Sequence, residues 1–169
     1  MGKNVFWAGF FILIAVILQS TLLSHIRIYR TYVSPDLALG ILVFTAYING
    51  TMTGQLTGFF SGFLMDFISA APLGFNAFIR TILGAGLGAM KGTFFLDVFF
   101  LPMGLCAAAT LVKALLCFIL HLLFAGAVPA YSLGEPALWL ELTLNTLSAP
   151  LLFGFLKFFN TLLIRREER

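Results

Sequence analysis

Charge is scarce in this sequence. Lys, Arg, Asp and Glu together make up 10% of 169 residues, against 60% hydrophobic. A water-soluble domain carries about a quarter charged residues, so this chain cannot cover a folded surface with charge. A mean hydropathy of +1.02 makes the bilayer its solvent. Histidine occurs twice and cysteine twice. That leaves no His/Cys cluster at metal-ligand spacing and no nucleophile beside a base. Rhomboid-like or acyltransferase chemistry would need histidines where none occur. The sequence has no phosphate-cradling loop, and its acids are too few and scattered for paired acid–base work. Cys106 and Cys117 fall in one expected helix, ~16 Å apart at ~1.5 Å rise per residue, too far to bond. Both read as small packing residues. No stretch is long or polar enough for a separate soluble domain. The net charge of +3 sits mainly at segment ends, a mark of topology rather than of nucleic-acid binding. No enzymatic activity, cofactor or metal is expected.

What the sequence does have is long apolar runs. A hydrocarbon core of ~30 Å needs about 20 residues per helix, and the length allows about six such spans. They are expected at 5–23, 35–48, 51–68, 73–90, 102–124 and 137–164, in a single all-α transmembrane bundle with short loops. The first span follows Lys3 and runs through Gln19-Ser20-Thr21 without a small-x-small cleavage site, so it reads as an uncleaved span. Pro35 and Asp36 open the second, where proline suits the first turn and the acid complements the helix dipole. Asn49-Gly50 is a turn. Spans two and three are short, and the alternative is one bent or re-entrant unit. The brief SAAP turn makes spans three and four an antiparallel hairpin. Pro150 lies near the middle of the last span, which is long enough to tilt or bend. Six spans put both termini on one side, with Lys3, Lys91, Arg165, Arg166 and Arg169. The other side has Arg27 and Arg30 among interfacial tyrosines, and Glu135. The bias places both termini in the cytoplasm. The 20 phenylalanines suit lipid-facing and interhelical packing.

Small residues let helices approach in lipid, where water-driven burial is absent. Gly54, Gly58 and Gly62 mark one face of span three. Gly84, Gly88 and Gly92 mark a face of span four, with Gly86 beside them. These stripes pack the two spans together or on neighbours; the alternative is an external face for a partner's helix. The next step of four after Gly62 is Asp66. Arg80 lies within reach across a tight hairpin, and an Asp66–Arg80 pair would fix its register. Asp66 binding the amides of the turn, or serving as a proton or substrate site, are the alternatives. Lys113, Glu141 and Asn145 form a second polar set. Glu141 and Asn145 share a helix face. The set reads as a clamp between spans five and six or as an intramembrane functional group. His121, near the end of span five, reads as interfacial.

One region resembles a known family. The string PDLALGILVFTAYINGTMTGQLTGFFSGFLMDFISAAPLGFNAF is similar to the core of the rod shape-determining protein MreD family. Pro35, Asp36 and Leu37 match its span-opening motif. Gly62, Asp66 and Ser69 match its Gly-x-x-x-Asp-x-x-Ser, and Leu73 and Gly74 match the Leu-Gly that follows. Gln19-Ser20-Thr21 suits the family's first helix. Ala70-Ala71 departs from a usual glycine. Lys113, Glu141 and Asn145 match no family motif. The resemblance implies a non-catalytic inner-membrane scaffold or regulator of bacterial cell elongation that supports lateral peptidoglycan synthesis. It implies MreC as partner, together with MreB, RodA and a penicillin-binding transpeptidase; a homo-oligomer is compatible with it. The family has also been compared with vitamin-binding subunits of energy-coupling transporters. The alternative is therefore a small-molecule-binding subunit on the same six-helix plan.

Overall fold

The computed structural model describes residues 2–21, 27–28, 31–69, 71–93, 99–124, 128 and 134–163. Among these residues six helices carry the fold: α1 (Gly2–Thr21), α2 (Leu37–Asn49), α3 (Thr51–Ile68), α4 (Phe75–Ala89), α5 (Phe100–Leu123) and α6 (Pro136–Phe158). A last turn, α7 (Asn160–Leu163), follows α6. Two short strands, β1 (Arg27–Ile28) and β2 (Thr31–Tyr32), pair antiparallel between α1 and α2. Arg30 and the tail residues Arg165, Arg166 and Arg169, which bear on the topology, lie outside the described residues. So do 94–98, 125–127 and 129–133.

Among the described residues, three helices, α1, α5 and α6, are long and apolar enough to cross a membrane by themselves. The fold is that of an α-helical membrane protein, and the other three helices depart from the simple span. The shortest, α2, has 13 residues, or about 20 Å at 1.5 Å per residue. All its residues except Leu37 and Ile48 are buried. An apolar helix buried on every side belongs at the centre of a bundle, and α2 packs on α1, α3, α4, α5 and α6. Gly50, at φ 89°, ends it and starts α3. The chain reverses there, so α2 and α3 are two separate helices.

Three points fix the lower end of the bundle. Asn4 Nδ2 and Asn49 Nδ2 both donate to the Leu163 carbonyl, at 3.3 and 2.9 Å. Gly88 lies against the backbone of Gly50 and Thr51. The start of α1, the end of α2, the start of α3 and the ends of α4 and α7 therefore share one level. The N-terminus of α2 points to the opposite end. At about 20 Å, α2 is roughly 10 Å shorter than a ~30 Å hydrocarbon core is thick.

The two glycine stripes form the tightest seam. A Cβ on Gly54 would overlap the Gly84 carbonyl, and one on Gly84 would overlap that of Gly54. A Cβ on Gly58 would meet the Arg80 backbone; one on Gly62 would meet Asn76 and Ala77. Steps of four on α3 are matched by steps of four on α4, as small-residue packing in lipid requires. The seam is internal. Gly92 departs from expectation: it has open space where a Cβ would stand and, at φ 74°, sits in the turn after α4 rather than on its stripe. Gly86, beside the stripe, also has open space there. Gly40 belongs to no stripe, yet it lets Leu152 of α6 approach α2. Phe59, Phe63 and Phe67 line the outer face of α3, while Phe44 and Phe153 pack edge-to-face inside.

Candidate functional site

Asp36 is the hub of a polar centre at the buried N-terminus of α2. Its Oδ1 accepts from the Leu39 amide at 3.0 Å and caps the helix, satisfying a donor that has no partner within the helix. Its Oδ2 accepts from Arg80 Nη2 at 2.6 Å and from Lys113 Nζ at 3.1 Å. The Asp36 amide donates to Asn145 Oδ1 at 2.7 Å, and Asn145 Nδ2 donates to Thr110 Oγ1 at 3.0 Å. Arg80 Nη1 donates to Ser61 Oγ at 2.9 Å. Lys113 also pairs with Glu141 Oε1 at 2.5 Å. Five helices, α2 through α6, thus meet through one connected network. Arg80 is 2% exposed, yet its Nε has no hydrogen-bond partner among the described residues.

Two acids and two bases balance in this network, so no net charge is left in low dielectric. Balance alone does not make a buried pair stabilising. Its best-attested role is to fix one arrangement, since any other leaves charges unpaired. Here the arrangement fixed is how α4, α5 and α6 dock on the central helix.

The expected Asp66–Arg80 pair does not form. The stripe register sets Arg80 opposite Gly58, and Gly58 lies eight residues before Asp66, ~12 Å along the helix. Nearer donors take the Asp66 carboxylate. Oδ2 accepts from the amides of Gly74 at 2.9 Å and Ala77 at 3.2 Å; Oδ1 accepts from the amide of Asn76 at 2.8 Å. Asn76 Nδ2 donates to the same Oδ1 at 3.0 Å and to Ser69 Oγ at 3.1 Å. Gly74, at φ 94°, begins α4 without a side-chain cap of its own. Asp66 caps α4 from the neighbouring helix, which is the amide-binding alternative. An anion there also suits the helix dipole. Arg80, freed from the hairpin mouth, reaches Asp36 instead.

The second polar set is a clamp in part. Lys113 of α5 holds Glu141 of α6, and Asn145 of α6 holds Thr110 of α5. Both links extend to Asp36, which the sequence marks only as a helix start. The sequence contains the members of the larger network, Asp36, Arg80, Lys113, Glu141 and Asn145, scattered over four expected spans. Their meeting depends on how the helices are arranged. His121 is partly exposed, and its Nδ1 has no partner among the described residues. Cys106 and Cys117 are both buried and unpaired. Among the described residues, no group of three His, Cys, Asp or Glu could hold a metal ion.

The motif residues thus do two separate jobs, with Pro35-Asp36-Leu37 at the polar centre and Gly62, Asp66, Ser69 and Gly74 in the hairpin. The profile of the family described as rod shape-determining protein MreD matches residues 2–159. The chain belongs to the MreD family. It is accordingly a rod shape-determining membrane protein. The match extends well beyond the motif region and takes in Lys113, Glu141 and Asn145. No curated protein and no solved structure matches the chain.

Proposed function

We propose that this MreD-family protein is a non-catalytic inner-membrane scaffold or regulator of the elongation complex. It binds MreC and, with MreB, RodA and a penicillin-binding transpeptidase, supports lateral peptidoglycan synthesis. Both termini face the cytoplasm, and the end holding Asp36 and Asp66 faces outward. The observation that carries this reading is the family match over residues 2–159. The use of the intramembrane charges agrees with it. Asp36, Arg80, Lys113 and Glu141 bind one another, and Asp66 caps a helix. Charges arranged in this way hold a fixed shape for partners to recognise. Depletion in a rod-shaped cell tests the proposal: cells should round, and MreC should co-purify with the protein. Normal shape with a new nutrient requirement would favour the transport-subunit reading instead. One observation speaks for that second reading, a polar cavity of about 250 Å3 beside Lys113 and Glu141. It is smaller than the ~300–1,000 Å3 typical of small-molecule sites.

A further inference from the structure

The polar centre has an open side. Above the N-terminus of α2, where the short central helix stops, lies a cavity of about 250 Å3 lined by Gln19, Ser34, Asp36, Met65, Lys113 and Glu141. Lys113 and Glu141 are the network's most exposed charges, at 17% and 19%. Lys113 has three donors, of which Asp36 and Glu141 take two. Glu141 Oε1 holds Lys113, and its other oxygen has no protein donor among the described residues.

Gln19 supplies an independent sign. It is only 7% exposed and lines the same cavity, yet its amide is poorly matched. Among the described residues, Nε2 donates only to the Met65 sulfur, at 3.2 Å, and Oε1 has only the Ala38 amide, at 3.5 Å. A thioether is a weak acceptor, and buried amides ordinarily find an oxygen.

We propose that this cavity binds a zwitterionic group, an ammonium beside an anionic oxygen. The anionic oxygen meets Lys113 and the Gln19 amide, and the ammonium meets the free oxygen of Glu141. Net charge argues for a zwitterion over an ion. Asp36, Arg80, Lys113 and Glu141 already balance, so a charged guest would leave an uncompensated charge in low dielectric. A zwitterion adds none, and its dipole opposes that of the Lys113–Glu141 pair. The cavity lies toward the end of the bundle where α1 ends and α6 begins. A phosphatidylethanolamine headgroup and a soluble zwitterion share this chemistry. The proposal rests on these side chains and not on the scaffold role, so either can fail alone.

Thermal unfolding of the full chain in maltoside micelles, followed by fluorescence of Trp7 and Trp139, tests it. The probes are dihexanoyl-phosphatidylethanolamine, dihexanoyl-phosphatidylglycerol, glycerophosphoethanolamine and ethanolamine. A ligand that binds only the folded state raises the midpoint. A zwitterionic probe should raise it, while the anionic lipid and the cationic amine should not. A rise with the lipid alone assigns a lipid source; a rise with glycerophosphoethanolamine too shows that the headgroup suffices. Glu141→Gln should weaken the apparent affinity about tenfold, and Gln19→Leu about threefold, as lost charged and neutral hydrogen bonds do. No rise with either zwitterion, or an equal rise with the anionic lipid or with ethanolamine, overturns the proposal. So does wild-type affinity in the variants. If Glu141→Gln does not fold, Gln19→Leu decides alone.

Discussion

Asp36→Asn tests the polar centre at its hub. Asparagine keeps the volume and an oxygen for the Leu39 amide, so the cap and the packing persist. The negative charge is lost. Arg80, 2% exposed, then keeps only the Ser61 hydroxyl, and Lys113 keeps only Glu141. Removing one partner of a buried pair costs about 3–5 kcal/mol, because the other charge stays buried. A lone arginine at mid-helix in a membrane costs ~2.5–3.5 kcal/mol on the gentler scales, which agrees at the lower edge. The expected loss is therefore about 3 kcal/mol or more. Equilibrium unfolding in mixed micelles with a rising fraction of dodecyl sulfate, followed by circular dichroism, measures it. Asp36→Asn combined with Arg80→Gln should cost less than the sum of the singles, by about 0.5–3 kcal/mol. A loss under about 1 kcal/mol, the scale of an exposed ion pair, would refute the reasoning. Strict additivity would refute it equally, since groups 2.6 Å apart in low dielectric must couple.

Asp66→Asn and Arg80→Gln should be additive within about 0.5 kcal/mol, because the two side chains serve different partners. The same micelle titration applied to the double variant checks this, and a large coupling would restore the hairpin pair. Gly54→Leu or Gly58→Leu should disrupt folding and MreC co-purification far more than Phe59→Leu. The glycines face the backbone of α4, whereas Phe59 is 48% exposed on the outer face; equal, mild effects would remove the close seam. A reporter that works only outside the cytoplasm, fused after Arg169, should stay silent, and activity would invert the topology.

Much of this molecule is legible in its composition and spacing. Too little charge for a water-facing surface requires helices in lipid, because each helix satisfies its own backbone there. Glycines four apart mark a face where backbones touch, and the brief turn after Ile68 makes the hairpin that brings two such faces together. The sequence also shows which polar groups are in the membrane. It does not show which of them meet, and the tertiary structure decided that. Asp66 and Arg80 looked like partners because a hairpin joins their helices, but the amides opening α4 lie closer to Asp66. Asp36 and Arg80 are 44 residues apart, and Asp36 and Lys113 are 77 apart. Nothing local encodes either distance. They meet because α2 is too short to cross and is buried on every side, which leaves its N-cap deep among four other helices. A carboxylate at that depth must find cations, and only the packing of α4 and α5 decides which two can reach it.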